Sequence, residues 1–141
     1  MGIYDTYGLK DERKKFIDLI LYAAKTKEIL KMSKGDQEIS YTYVDDVVSA
    51  VMQASKMFSK IKDFEKKYSV YNDKEIMSLA MLVRRVEEVL SIKIENDFGF
   101  YPYRENKIMK VLPSYSPLPN WQPKVFLKEG IQKKWNEINQ K

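Results

Sequence analysis

The sequence predicts a mixed α/β fold with about four helices, several short strands, and an irregular proline-rich segment before a C-terminal helix. Three observations predict it. Apolar residues recur at helical spacing in four separate stretches. Short runs rich in β-branched and aromatic residues lie between those stretches. The five prolines, at positions 102, 113, 117, 119 and 123, fall in one late segment, which predicts chain running over a surface.

Residues 3–7 alternate as a short strand that Gly8 closes. Asp11 is expected to cap a helix carrying Phe16, Leu19, Ile20 and Ala23 on one face and ending near Lys27. Residues 29–32 read as a strand, and Lys34-Gly35-Asp36 is turn chemistry. Residues 37–44 place Ile39, Tyr41 and Tyr43 on one face, as in a half-buried strand.

Asp45 or Asp46 is expected to cap the next helix, with the other facing solvent. Its apolar stripe is Val47, Val48, Val51, Ala54, Met57 and Phe58. A charged connection over 61–67 leads to a strand at 68–71, turning at Asn72-Asp73. Leu79, Leu82, Val83, Val86, Val89 and Leu90 mark a third helix. Ile92 and Ile94 suggest a further strand, and Ile131, Trp135 and Ile138 mark a final helix over 127–138.

A length of 141 residues suits one domain over 1–141 with a sizeable core. There is no apolar run of about 18 residues and no signal-peptide pattern, so no membrane partner and a cytoplasmic location are expected. The chain has no cysteine, which excludes disulfides and cysteine-based metal sites. It also has no histidine, which removes the usual neutral-pH base, the Ser-His and Cys-His pairs, and most zinc sites. The net charge of +5 fits a solvated lysine-rich surface. The other reading is attraction to an anion, either a diphosphate or a nucleic-acid backbone.

Arg13, Lys14 and Lys15 cluster at a helix start, where positive charge opposes the helix dipole and an anion would compensate. Tyr103 and Arg104 follow Pro102; an arginine held among aromatics can pair bidentately with phosphate, or can simply pack on them. Tyr103 and Lys107 have a Tyr-x-x-x-Lys spacing, but that stretch offers no helix to present both side chains to a nicotinamide. Gly2 and Gly8 have the outer spacing of a dinucleotide-binding loop, with Asp5 at its middle position. No catalytic, metal-ligating or cofactor-binding residue is assigned from these patterns.

Five ordered blocks carry a resemblance: Tyr4-Asp5-Thr6-Tyr7-Gly8; Lys34-Gly35-Asp36-Gln37; Tyr43-Val44-Asp45-Asp46-Val47; Pro102-Tyr103-Arg104-Glu105; and Leu118-Pro119-Asn120-Trp121-Gln122-Pro123-Lys124. Together they resemble the C-terminal, substrate-binding part of extended short-chain dehydrogenase/reductases, the NAD-dependent nucleotide-sugar epimerase/dehydratase family. The resemblance implies a partial Rossmann-type lobe that lacks the cofactor-binding Rossmann half.

In such a lobe Arg104 would face the phosphates of a nucleotide-sugar. Arg13, Lys14, Lys15, Gln37 and Tyr103 would line the same cleft. The intact family uses NAD or NADP; no cofactor, and no turnover by this chain alone, is expected here. An exposed apolar face is expected where a Rossmann-domain polypeptide, or a second copy, would pack. Two departures stand out: Leu9 replaces the family's usual proline, and Ile39-Ser40 replaces an Arg-Asp pair. A basic interaction module for protein or nucleic acid is the alternative, as is a remnant that has lost its ligand. Acids interspersed with the lysines, and aromatics at core-facing positions, weigh against nucleic acid.

Overall fold

A parallel three-stranded sheet is built from the two ends and the middle of the chain. The structure is a computed structural model describing residues 2–3, 5–11, 15–58, 67–102 and 115–140. Strand β6 (Tyr68–Val70) lies between β1 (Gly2–Ile3) and β9 (Ser116–Pro117). The register pairs Ile3 with Val70 and Tyr68 with Ser116. Pro117 has no N–H to give a ladder, and β9 is an edge strand of this sheet, where that is tolerated.

The strand expected at 3–7 is two strands. The second, β2 (Thr6–Tyr7), leaves β6 and runs parallel to β5 (Thr42–Tyr43). Asp5 marks the break, and its carbonyl accepts the Thr42 N–H at 2.8 Å. The strand expected at 37–44 also divides. Strand β4 (Glu38–Ser40) pairs antiparallel with β7 (Ile76–Ser78), a strand that the periodicity does not predict. The segment is buried on both faces rather than one: Ser40 and Thr42 are as enclosed as Ile39, Tyr41 and Tyr43. Burial of Ser40 is satisfied because its hydroxyl donates to Asn72 O and accepts from Asn72 N.

Helix α1 (Phe16–Thr26) is capped at Lys15, not Asp11; the Asp18 carboxylate accepts the Lys15 N–H at 3.1 Å. Its buried face is Ile17, Ile20, Leu21, Ala23 and Ala24, so Leu19 points to solvent. The helix ends at Lys27, where the sequence places its end, and that residue adopts the left-handed region. Strand β3 (Leu30–Met32) follows and pairs parallel with β8 (Asn96–Phe98). The strand expected around Ile92 and Ile94 forms later, at Asn96–Phe98, and Ile94 ahead of it is buried in the core. Gly35 turns the chain between β3 and β4 at positive φ, and a side chain there would meet Ala80 N at 2.9 Å.

Helix α2 (Val44–Phe58) begins directly after β5, so Asp45 and Asp46 lie in its first turn instead of capping it. Its buried positions include Ala50 and Ala54, whereas Val48 and Val51 of the expected stripe are exposed. Helix α3 (Leu79–Leu90) is capped by Ser78, whose hydroxyl accepts the Met81 N–H. Helix α4 (Leu127–Asn139) packs against α3. Tyr7, Ile17, Ile20, Leu21, Leu82, Val83, Val86, Leu127 and Ile131 form the main core. A smaller core joins Ala50, Ala54, Val70 and Leu118, with Trp121 packed against it.

Glu75 joins these layers. It is buried, and one oxygen accepts from Leu127 N at 2.8 Å and Asn72 Nδ2 at 3.1 Å. Arg85 lies 3.5 Å from the other oxygen. Burial outweighs these partners and raises the Glu75 pKa above 4.5. The folded state therefore binds this proton more tightly than the unfolded state. This contribution to stability is fully present below the unfolded pKa and is lost as pH rises through the folded one. Replacing Glu75→Gln is expected to flatten stability against pH above about 4.5, measured by urea unfolding across that range.

Candidate functional site

The loop from β2 into α1 is held from several directions. Lys15 Nζ donates to the Thr6 carbonyl and lies 3.4 Å from Asp11 Oδ2. Lys134, on α4, donates from Nζ to Gly8 O at 2.9 Å and lies 2.6 Å from Asp18 Oδ1. Glu137, also on α4, accepts the Lys10 N–H at 2.9 Å. The described residues on either side of 12–14 are thus tied at Gly8, at Lys10 and at the first turn of α1.

Lys15 stands at the N-cap of α1 and Gln37 just ahead of β4. The Gln37 carbonyl accepts the Leu79 N–H at 3.0 Å, while its side-chain Oε1 is buried without a hydrogen-bond partner among the described residues. Arg13, Lys14, Tyr103, Arg104 and Lys107 lie outside the described residues.

Three core tyrosines pack together around β2. The Tyr7 ring meets Tyr41 and Tyr43 edge-on, with centroids 5.7 Å and 5.2 Å away. Burial pushes the pKa of all three phenols up. They stay protonated at neutral pH, which unsuits them as proton-abstracting bases. Lys133 lies 5.3 Å from the Tyr43 ring centroid.

A dinucleotide would need a tight glycine turn joining a strand to a helix N-terminus. The described junctions do not fit that need. Tyr43 runs straight into α2 and Ser78 into α3. Gly8 is buried against α2: a β-carbon there would lie 2.9 Å from Val44 Cβ, so its small size serves packing.

Sequence reasoning missed Asp46, Glu75, Asp18, Lys134 and Glu137 as organising residues. Asp46 is buried, and its two oxygens accept from Lys124 N at 3.0 Å and Val125 N at 2.9 Å. Trp121 Nε1 donates to the Asp46 carbonyl and to Ser49 Oγ. One signal for Lys134 was available: it shares the buried stripe with Leu127, Gly130 and Ile131. A lysine on an apolar stripe calls for a partner. On α2, Val44, Val48, Val51 and Met52 form an exposed apolar row, at i, i+4, i+7 and i+8. Among the described residues no helix is long and apolar enough to cross a membrane.

Parallel strands with helical connections make this a partial Rossmann-type α/β lobe. It is similar to a CDP-abequose synthase of Yersinia pseudotuberculosis, 29% identical over 132 residues that are 94% of this chain and 44% of that protein. The fold matches UDP-glucose 4-epimerase of Thermotoga maritima in complex with UDP-glucose, with a TM-score of 0.73 at 20% identity; the match covers 98% of this chain and 44% of that one. It also matches UDP-glucuronic acid 4-epimerase of Bacillus cereus, in complex with a UDP-deoxyfluoro-glucuronic acid and NAD, with a TM-score of 0.80 at 15% identity and the same coverages of 98% and 44%. The chain spans less than half the length of these proteins. No family model matches it. The similarity to nucleotide-sugar epimerases that the sequence blocks suggest thus extends to the fold and to nearly all of the chain.

Proposed function

We propose that the chain is a nucleotide-sugar binding lobe of an NAD(P)-dependent epimerase/dehydratase-like protein. The observation that carries the reading is the similarity along 94% of the chain to a synthase whose name specifies a CDP-sugar. The fold match to epimerases seen with UDP-sugars supports it. The phosphates meet Arg104 and the cluster Arg13, Lys14 and Lys15; Gln37 and Tyr103 line the same cleft.

Calorimetric titration with CDP-, UDP-, dTDP- and GDP-sugars tests this. Saturable binding to one of them is expected, weakened at least about tenfold by Arg104→Ala, because charge-assisted bonds to phosphate are strong. Absence of binding by the folded chain to all four would refute the reading. Steeply salt-dependent binding to RNA or DNA instead would favour the basic interaction module.

The lobe is not catalytic alone, and a dinucleotide-binding polypeptide completes it. The misfit of the described strand–helix junctions to a pyrophosphate supports this, as do the protonated tyrosines. The exposed row Val48, Val51 and Met52 on α2 is an apolar face of the kind such a partner covers. Conversion of a nucleotide-sugar by the pure chain with added NAD or NADP would contradict it.

A further inference from the structure

A small cavity opens where the chain leaves the parallel sheet. It measures about 190 Å³ and lies past the carboxyl end of β6, between the 71–74 turn and the 121–123 segment. Both walls are pinned from inside. Asn72 is buried; its Oδ1 accepts the Lys74 N–H at 3.0 Å, and its main chain exchanges two hydrogen bonds with the Ser40 hydroxyl. On the other side buried Asp46 holds the Lys124 and Val125 N–H groups. Trp121 gives its indole N–H to the Asp46 carbonyl and to Ser49 Oγ. That nitrogen is the one polar atom of the ring, so what Trp121 offers the cavity is carbon. Tyr71, Pro117 and Pro123 add further ring surface. Asp73, Lys74 and Gln122 are exposed at its border. They bring a carboxylate that accepts hydrogen bonds, an ammonium that donates them and an amide that does both.

This chemistry narrows the ligand. An anion would meet Asp73 as well as Lys74, whose charges cancel. A wholly apolar group would take water from these polar side chains and return no hydrogen bond. A saturated ring with a carbon–hydrogen face and a border of hydroxyls satisfies both parts. Its face lies on the aromatic and proline rings, and its hydroxyls, each donor and acceptor, reach the carboxylate, the ammonium and the amide. The volume is below the roughly 300 Å³ at which drug-sized sites begin, so one ring fits rather than two. Walls fixed before the ligand arrives lose little conformational freedom on binding. We propose that this cavity binds a pyranose ring. The inference does not rest on the nucleotide-sugar reading, since none of the residues assigned to that cleft lines the cavity.

The test is an amide chemical-shift titration of the isotope-labelled full chain with methyl glycosides of glucose, galactose, mannose and N-acetylglucosamine. At least one is expected to shift the Asp73, Lys74 and Gln122 amides and the Trp121 indole N–H together, saturating at about millimolar concentration, as suits a ligand of this size. Asp73→Ala changes an exposed side chain, so its urea midpoint is expected to stay near that of the parent. It is expected to weaken the binding about tenfold. Unchanged signals at about 50 mM of every glycoside would overturn the proposal. Equal shifts with glycerol would do the same, by showing contact with any hydroxyl compound. Shifts with a proline-rich peptide and with no glycoside would overturn it in favour of a peptide groove. A nucleotide-sugar carrying the preferred pyranose separates the two sources of that ring. Shifts with the nucleotide-sugar alone would assign the cavity to the cleft already proposed and overturn a separate site. Glycoside binding without any nucleotide-sugar binding would uphold the site and refute the nucleotide-sugar reading alone.

Discussion

Gly130→Ala is expected to destabilise the protein by about 2 kcal/mol, although it replaces glycine with the best helix former. Gly130 lies inside α4 and faces Tyr7. A β-carbon there would lie 2.6 Å from Tyr7 Cε2 and Cζ, well inside van der Waals contact. Tyr7 cannot yield easily, being 1% exposed and packed edge-on against Tyr41 and Tyr43. Overpacking such a site costs about 3 kcal/mol. The gain in helix propensity returns only about 1 kcal/mol. Urea unfolding checks this: a midpoint unchanged or raised by Gly130→Ala would show that α4 does not press on Tyr7.

Asp46→Ala is expected to cost about 3 kcal/mol, because it removes two charge-assisted hydrogen bonds and leaves two part-buried main-chain donors, Lys124 N and Val125 N, without acceptors. Asp46→Asn keeps one acceptor oxygen and is expected to cost about half as much. The damage should be directional. Asp46 anchors the strand-free segment leading into α4, and the Trp121 indole is held from the same turn of α2. The fluorescence of Trp121 is therefore expected to change in native Asp46→Ala; Trp135→Phe in the background isolates that signal. An Ala variant with parent stability and an unaltered Trp121 spectrum would show that the segment is held by its apolar contacts alone.

These two positions also show what the sequence could reveal. The four helices and the order of most strands were legible, since helix periodicity and turn residues act locally. Strand breaks at Asp5 and Tyr41 were not, because each depends on which distant strand takes up the chain on either side. Asp46 read as either the cap of α2 or, with Asp45 as the cap, a solvent-facing residue. Its actual partners lie 78 and 79 residues away, where local pattern carries no information. Leu19, Val48 and Val51 fit a helical stripe by spacing, but the buried arc of each helix is set by what packs on it. The basic cluster and Gln37 were legible as residue types. The hold of α4 on the basic loop, 126 residues away between Gly8 and Lys134, was not.

The most direct test of the central claim is an amide chemical-shift titration of the isotope-labelled chain with a CDP-sugar and a UDP-sugar. Nucleotide-sugar binding by this lobe should shift amides saturably in the 8–18 loop, around Gln37, and in the segment holding Tyr103 and Arg104. Unchanged spectra at millimolar ligand, or shifts confined to the exposed row on α2, would contradict it.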